Sequence, residues 1–306
     1  MVKLSPLVVR SGLRVLRPLL TSSRLSLASK RRVLDLATGL IGLPRGSAAE
    51  SGQLAGVAVE WITPPNSRPG AAMLFLHGGG YTLGSATGYR GFAGTLAAAA
   101  GMQVAVVDYR RAPEHPFPAA LEDALAAYGE LTKRAAMVVV AGDSAGGGLA
   151  LALAQQLRES KQPAPVALGL ICPWLDLAAD RDGLRPPAKD PALVPSALTE
   201  WSKFYAGRSE ARDPQVSPIY GDLTSLPPIV MHSASDDPLA SDADKLEAAI
   251  AVQASDSVLI HRRFSKRWHD FHLQLAYLAD ARDAVSQLGA LLPAFVESKE
   301  PAQKGS

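Results

Sequence analysis

Seven short apolar runs punctuate the chain, and helical patterns fill most of the gaps between them. The runs are Val57–Ile62, Met73–Leu76, Gln103–Asp108, Met137–Ala141, Val166–Ile171, Pro228–Met231 and Val258–Ile260. The helical patterns cover Gly91–Ala100, Pro118–Thr132, Gly148–Glu159, Ser241–Ala254 and Leu273–Val296. Strands that are apolar on both sides and alternate with helices predict a mostly parallel sheet covered on both faces. Such sheets bind ligands at the carboxyl ends of their strands. The chain has 306 residues, 47% of them apolar, so it can bury a large core.

Several function classes fall away on charge and cysteine content. The formal net charge is +2, and no aromatic-studded basic stripe appears, so no nucleic-acid partner is expected. The single cysteine, Cys172, excludes an intrachain disulfide framework and a zinc-finger pattern. It ends an apolar run, Leu170-Ile171-Cys172, and reads as a small buried hydrophobe.

The N-terminus is unusual. Residues 1–32 hold eight Lys or Arg and no acid, interleaved with leucines and valines. No apolar run there is long enough to span a bilayer, and the order of a signal peptide is missing, so the expected location is the cytoplasm. A basic amphipathic helix can lie on an anionic membrane. The expectation here is that it packs on its own domain, because surface binding calls for a cleaner polar face. A second break comes at Asp180–Gly207, where Pro186, Pro187, Pro191 and Pro195 precede Trp201, Phe204 and Tyr205. This stretch reads as a lid or cap.

The chemistry begins at Gly142-Asp143-Ser144-Ala145-Gly146, which fits G-x-S-x-G between an apolar run and a helix. In that context the serine sits on a sharp strand-to-helix turn with its hydroxyl projecting. The helix start offers free N–H groups and the positive end of a dipole. A P-loop would need a Lys-Ser/Thr ending that is absent, and the spacing does not fit a dinucleotide fingerprint. An earlier run ends in His77-Gly78-Gly79-Gly80. Acyl transfer generates an oxyanion that needs preorganised donors, so the N–H groups of Gly78, Gly79 and Ala145 are candidates.

A serine hydroxyl needs a base. Of six histidines, His269 and His272 follow the last apolar run. His269 is the candidate base, His272 a bystander on the adjacent turn, and His232 structural. The acid belongs after the Pro228–Met231 run, where Asp236-Asp237-Pro238-Leu239 is the first acidic loop. Pro238 biases Asp237 toward an extended backbone and favours it, while Asp236 stays an alternative.

Together these residues resemble the hormone-sensitive-lipase-like esterases of the α/β-hydrolase superfamily, the bacterial family IV carboxylesterases. The resemblance rests on His77-Gly78-Gly79-Gly80-Tyr81, Asp108-Tyr109-Arg110-Arg111-Ala112-Pro113-Glu114-His115-Pro116-Phe117-Pro118, Gly142–Gly147, Pro173-Trp174-Leu175-Asp176-Leu177, Asp237-Pro238-Leu239 and Trp268-His269-Asp270-Phe271. It spans roughly residues 57–296. The resemblance implies an α/β-hydrolase fold with an eight-stranded, mostly parallel sheet. A helical cap would form from residues 1–50 and the insertion at about 180–207, over a catalytic domain of residues 51–300. The implied activity is hydrolysis of short- to medium-chain acyl esters without cofactor or metal. Ser144 would be nucleophile, His269 base and Asp237 acid, with the oxyanion held by Gly78, Gly79 and Ala145. Tyr81, Asp143, Trp201, Phe204 and Tyr205 are candidate pocket residues, and a homodimer is implied by resemblance alone. Two departures stand out: Ser235-Asp236 before the acid, and the basic Lys266-Arg267 before Trp268-His269. Two other readings use the same fold: a non-catalytic small-molecule receptor, which would lack the base, and a membrane-associated long-chain lipase.

Overall fold

A computed structural model describes residues 3–22, 24–181, 189–253 and 257–297. Eight strands form one sheet in the order β1-β2-β4-β3-β5-β6-β7-β8. Six strands run parallel: β3 (Ala71–Leu76), β4 (Gln103–Val107), β5 (Met137–Asp143), β6 (Leu168–Ile171), β7 (Ile229–Ala234) and the edge strand β8 (Leu259–Phe264). Only β1 (Ala48–Leu54) and β2 (Val57–Thr63) pair antiparallel with their neighbours. Every residue of β3, β6 and β7 is buried, as expected of strands covered on both faces.

Helices cover the two faces. α4 (Ala119–Leu131), α5 (Ala145–Glu159) and α7 (Ala240–Val252) pack one apolar core with Leu74, Leu76, Val140 and Leu170. α3 (Arg90–Ala100) and α8 (Ala279–Glu297) pack the other, where Phe92 and Leu96 meet Met73, Phe75 and Leu288. Leu76 aligns with Gly142 on one side and Val107 on the other, so the strand ends that carry the motifs share one edge. Above that edge lie α1 (Pro6–Thr21), α2 (Leu27–Gly39) and α6 (Pro195–Ala206). Ser5 and Ser26 cap α1 and α2, each accepting a backbone N–H three residues on.

Three boundaries differ from the sequence reading. The N-terminal helical segment does not run to residue 50: its helices end at Gly39, and Ala48–Leu54 is the edge strand β1. That strand is polar and mostly exposed, so it carries little apolar signal. α5 begins at Ala145 rather than Gly148, because the glycines there serve close packing and do not end the helix. The last helix starts at Ala279, after a separate short turn at Phe271–Gln274. Residues 182–188 of the proposed cap insertion and Ala254, the end of a predicted helix, lie outside the described residues.

Candidate active site

Ser144 stands between β5 and α5 with φ 52° and ψ −120°, a conformation L-residues rarely adopt. Its N–H donates to the Ile171 carbonyl at 2.8 Å, and its own carbonyl accepts from Trp174 N at 2.8 Å. The turn can be this tight only because side chains are missing beside it. A Cβ on Gly146 would come within 1.9 Å of the Leu76 carbonyl oxygen.

Two loops bring the remaining polar groups to this hydroxyl. His269, after β8, places Nε2 2.8 Å from Ser144 Oγ. Its Nδ1 lies 2.8 Å from Asp237 Oδ2. Asp237 Oδ1 accepts from Leu239 N at 2.7 Å, which fixes the carboxylate on the turn into α7. Asp236 points elsewhere: its Oδ2 pairs with Arg10 of α1 at 2.5 Å. Between the two acids of this loop, Asp237 is the one that meets His269. Burial alone would lower an imidazole pKa, but the negative charges of Asp237 and Asp270 outweigh it and hold His269 well above its ordinary value.

Three further acids shape the site without having been singled out for these contacts. Asp190, just before α6, accepts the His269 backbone N–H on Oδ2 at 2.6 Å. Its Oδ1 accepts from Ala192 N and Leu193 N at 2.8 and 2.7 Å. Burial, and then the charge of Asp237, raise the Asp190 carboxyl to about 6. Asp270, in a left-handed backbone conformation at φ 47°, brings Oδ2 to 3.0 Å from His269 Nε2. Burial raises its pKa. Asp143 is buried below Ser144, accepting from Gly78 N at 2.8 Å and from the Tyr89 hydroxyl at 2.7 Å. Burial and then the Asp270 charge push Asp143 well up.

That Asp143 contact corrects the expected oxyanion donors. Gly78 N–H is already committed to Asp143 Oδ1, so it cannot also meet an oxyanion. Gly79 and Gly80 carry φ values of 113° and 63° and line the cavity beside Ser144. Neither of their N–H groups meets a protein acceptor among the described residues. Ala145, the first residue of α5, is next to Ser144. The preceding loop is held from below: His77 is buried, stacks on Tyr109 at 4.4 Å, and its carbonyl accepts from the Tyr109 hydroxyl at 2.6 Å.

The cavity above Ser144 measures about 260 Å³ and is mainly apolar, with walls from α1, α2 and α6. Trp201 lines it and presses on Gly80, where a Cβ would sit 2.3 Å from the indole. The other candidate pocket residues do not line it. Tyr81 and Tyr205 stack ring on ring at 3.6 Å, both fully buried. Phe204 packs against the apolar core, and Asp143 is sealed beneath Gly78.

The other histidines and possible metal ligands are otherwise engaged. His232 Nδ1 and His272 Nε2 lie 3.1 Å apart in the core. Burial lowers both, His232 to about 3. Cys172 lies buried beside His269 and Asp270, where burial pushes its thiol well up. Asp244, Glu247 and His261 also cluster, but Arg263 already pairs with both acids.

Comparison with known proteins agrees with this geometry. The family described as the α/β-hydrolase fold matches residues 73–273. LipR of Mycobacterium tuberculosis, provisionally named an acetyl-hydrolase, is 48% identical over 97% of each chain. An acetyl-hydrolase of Streptomyces hygroscopicus is 38% identical over 84% of this chain and 85% of its own. Among solved structures, a hormone-sensitive lipase from a metagenome library superposes with a TM-score of 0.89 at 28% identity. It matches over 97% of this chain and all of its own. An esterase of the bacterial hormone-sensitive lipase family gives 0.87 at 29% identity, with 97% and 100% covered. The chain therefore belongs to the hormone-sensitive-lipase-like esterases of the α/β-hydrolase fold and is a carboxylic ester hydrolase.

Proposed function

We propose that the chain hydrolyses short- to medium-chain acyl esters through a Ser144–His269–Asp237 triad and a covalent acyl-enzyme. The observation that carries the reading is the pair of 2.8 Å contacts linking Ser144 Oγ, the two His269 nitrogens and Asp237. His269 Nε2 takes the Ser144 proton as Oγ attacks the ester carbonyl carbon. The carbonyl oxygen becomes an oxyanion facing the N–H groups of Gly79, Gly80 and Ala145. The tetrahedral centre collapses, the ester C–O bond breaks, and His269 returns its proton to the departing alcohol. Water then repeats the attack on the acyl-enzyme with the same base, releasing the acid and restoring Ser144. Asp237 keeps the Nδ1–H tautomer in place and stabilises the imidazolium.

The size of the cavity supports the acyl preference. Pockets for drug-sized ligands run to roughly 300–1,000 Å³, and about 260 Å³ suits a smaller ester. Relatives named as acetyl-hydrolases support the same preference. The test is a series of p-nitrophenyl esters from acetate to palmitate. Turnover should peak at the short end, and Ser144→Ala or His269→Ala should cost on the order of 10⁴-fold or more in kcat. Full turnover by either variant would overturn the triad. A peak at palmitate would overturn the acyl preference.

A further inference from the structure

α1 is apolar on two faces, one turned inward through Val9, Leu13 and Leu20 and one turned outward. A helix packed on its own domain buries its apolar stripe and shows polar residues to water, yet Val9 is the one buried residue of α1. Leu7, Val8 and Val15 are 71%, 54% and 77% exposed, and Leu19 is 41% exposed. At about 100° per residue these four side chains fall within about 120° of arc, with no charged residue inside it. α2 continues the surface with Leu36 and Leu40, 73% and 68% exposed. Of the large apolar side chains that the described molecule exposes, most lie before residue 44. Monomeric proteins rarely concentrate apolar surface in this way without a use for it.

The exposed charges of residues 3–40 that lack an ion-pair partner among the described residues have one sign. Lys3, Arg14, Arg24 and Arg32 are exposed, and none makes an ion pair among the described residues. The first acid in the chain is Asp35, and its carboxylate faces inward to the Ser85 hydroxyl. The surface is also continuous with the active-site mouth. Leu16 and Leu40 line the cavity above Ser144 and are themselves 40% and 68% exposed.

We propose that the exposed faces of α1 and α2 dock on an anionic lipid surface, with the cavity mouth turned toward it. An apolar arc bordered by free cations matches an interfacial layer of acyl chains beneath negative headgroups. A second copy of the chain is a poorer partner, because its own cations would face these. Among the described residues no helix is long and apolar enough to cross a membrane, so the helices lie on the surface. Amphiphilic esters dissolved in that surface then enter between Leu16 and Leu40 without crossing water. α1 packs on its own domain through Val9 and Leu13, as expected, and the docking would use its other face. The docking does not depend on the triad or on acyl-chain length.

The test is flotation of the full chain with vesicles of phosphatidylglycerol and phosphatidylcholine, and with phosphatidylcholine alone. The chain should float with the anionic vesicles at low salt and release as salt rises. Val15→Ser/Leu19→Ser/Leu36→Ser should weaken binding about tenfold or more, with turnover of a soluble acetyl ester unchanged. Arg14→Gln/Arg24→Gln/Arg32→Gln should also release the protein, and it decides the matter if the serine variant fails to fold. Ser144→Ala should bind like the parent chain. No flotation of the parent chain at low salt overturns the proposal, as does undiminished binding by the arginine variant. A parent dimer that the serine variant splits, without vesicle binding, would assign the surface to a second copy instead.

Discussion

A carboxylate 3.0 Å from the Nε2 of a general base works against it. Nε2 must be unprotonated to take the Ser144 proton, and nearby negative charge favours the imidazolium. His269 has two such neighbours. Asp237 contacts Nδ1 and is needed for orientation, whereas Asp270 faces the nitrogen that does the work. Both charges raise the His269 pKa. Asp270→Asn removes one of them, so the His269 pKa should fall. The base is then free at lower pH, and the acid limb of the kcat/KM profile should move downward. A limb that stays in place or moves up would contradict this assignment. Local sequence signals led to Ser144, His269 and Asp237, because each follows an apolar strand on a turn. The same signals could not show that Gly78 N–H is consumed by Asp143, which lies 65 positions away.

At the scale of elements, the cap is not merely laid over the sheet. Asp190 precedes α6 yet holds the main chain of His269, 79 positions on. Arg10 of α1 pairs with Asp236 and stacks over Trp268 at 5.2 Å. Both ties end on the loops that carry Asp237 and His269, the proposed triad acid and base. Asp190→Ala should free the His269 backbone and lower kcat about tenfold or more, since a small misplacement of a catalytic group is costly. KM should change less than kcat, because Asp190 reaches the cavity wall only through its contacts to Ala192 and Leu193. Asp190→Asn keeps one acceptor oxygen and should restore part of the loss. A change confined to KM, or equal kcat in both variants, would show that Asp190 only supports the fold. Nothing near Lys189-Asp190-Pro191 signals such a contact in the sequence, because its partner comes from another layer of the molecule. The edge strand β1 was missed for a different reason. Its Ala48-Ala49-Glu50-Ser51-Gly52-Gln53-Leu54 stretch is held by pairing along its full length with β2 and has little apolar content of its own.

For the molecule as a whole, the topology does the gathering. Parallel strands deliver their carboxyl ends to one edge, and there the His77–Gly80 loop, the Ser144 turn, Asp237 and His269 meet. The alternation of apolar runs and helices made that edge legible before any contact was known. The cap was legible as a basic, leucine-rich N-terminus and a proline-rich interruption, but the outward-facing leucines of α1 and α2 read like core residues. The central claim is that Ser144 forms the covalent intermediate. It is tested most directly by treating the active chain with a fluorophosphonate and mapping the adduct by peptide mass. The account predicts one phosphonyl group on Ser144, displacing fluoride, with ester turnover lost in proportion and no labelling of His269→Ala at a comparable rate. A label on another residue, or full turnover after Ser144 is labelled, would contradict it.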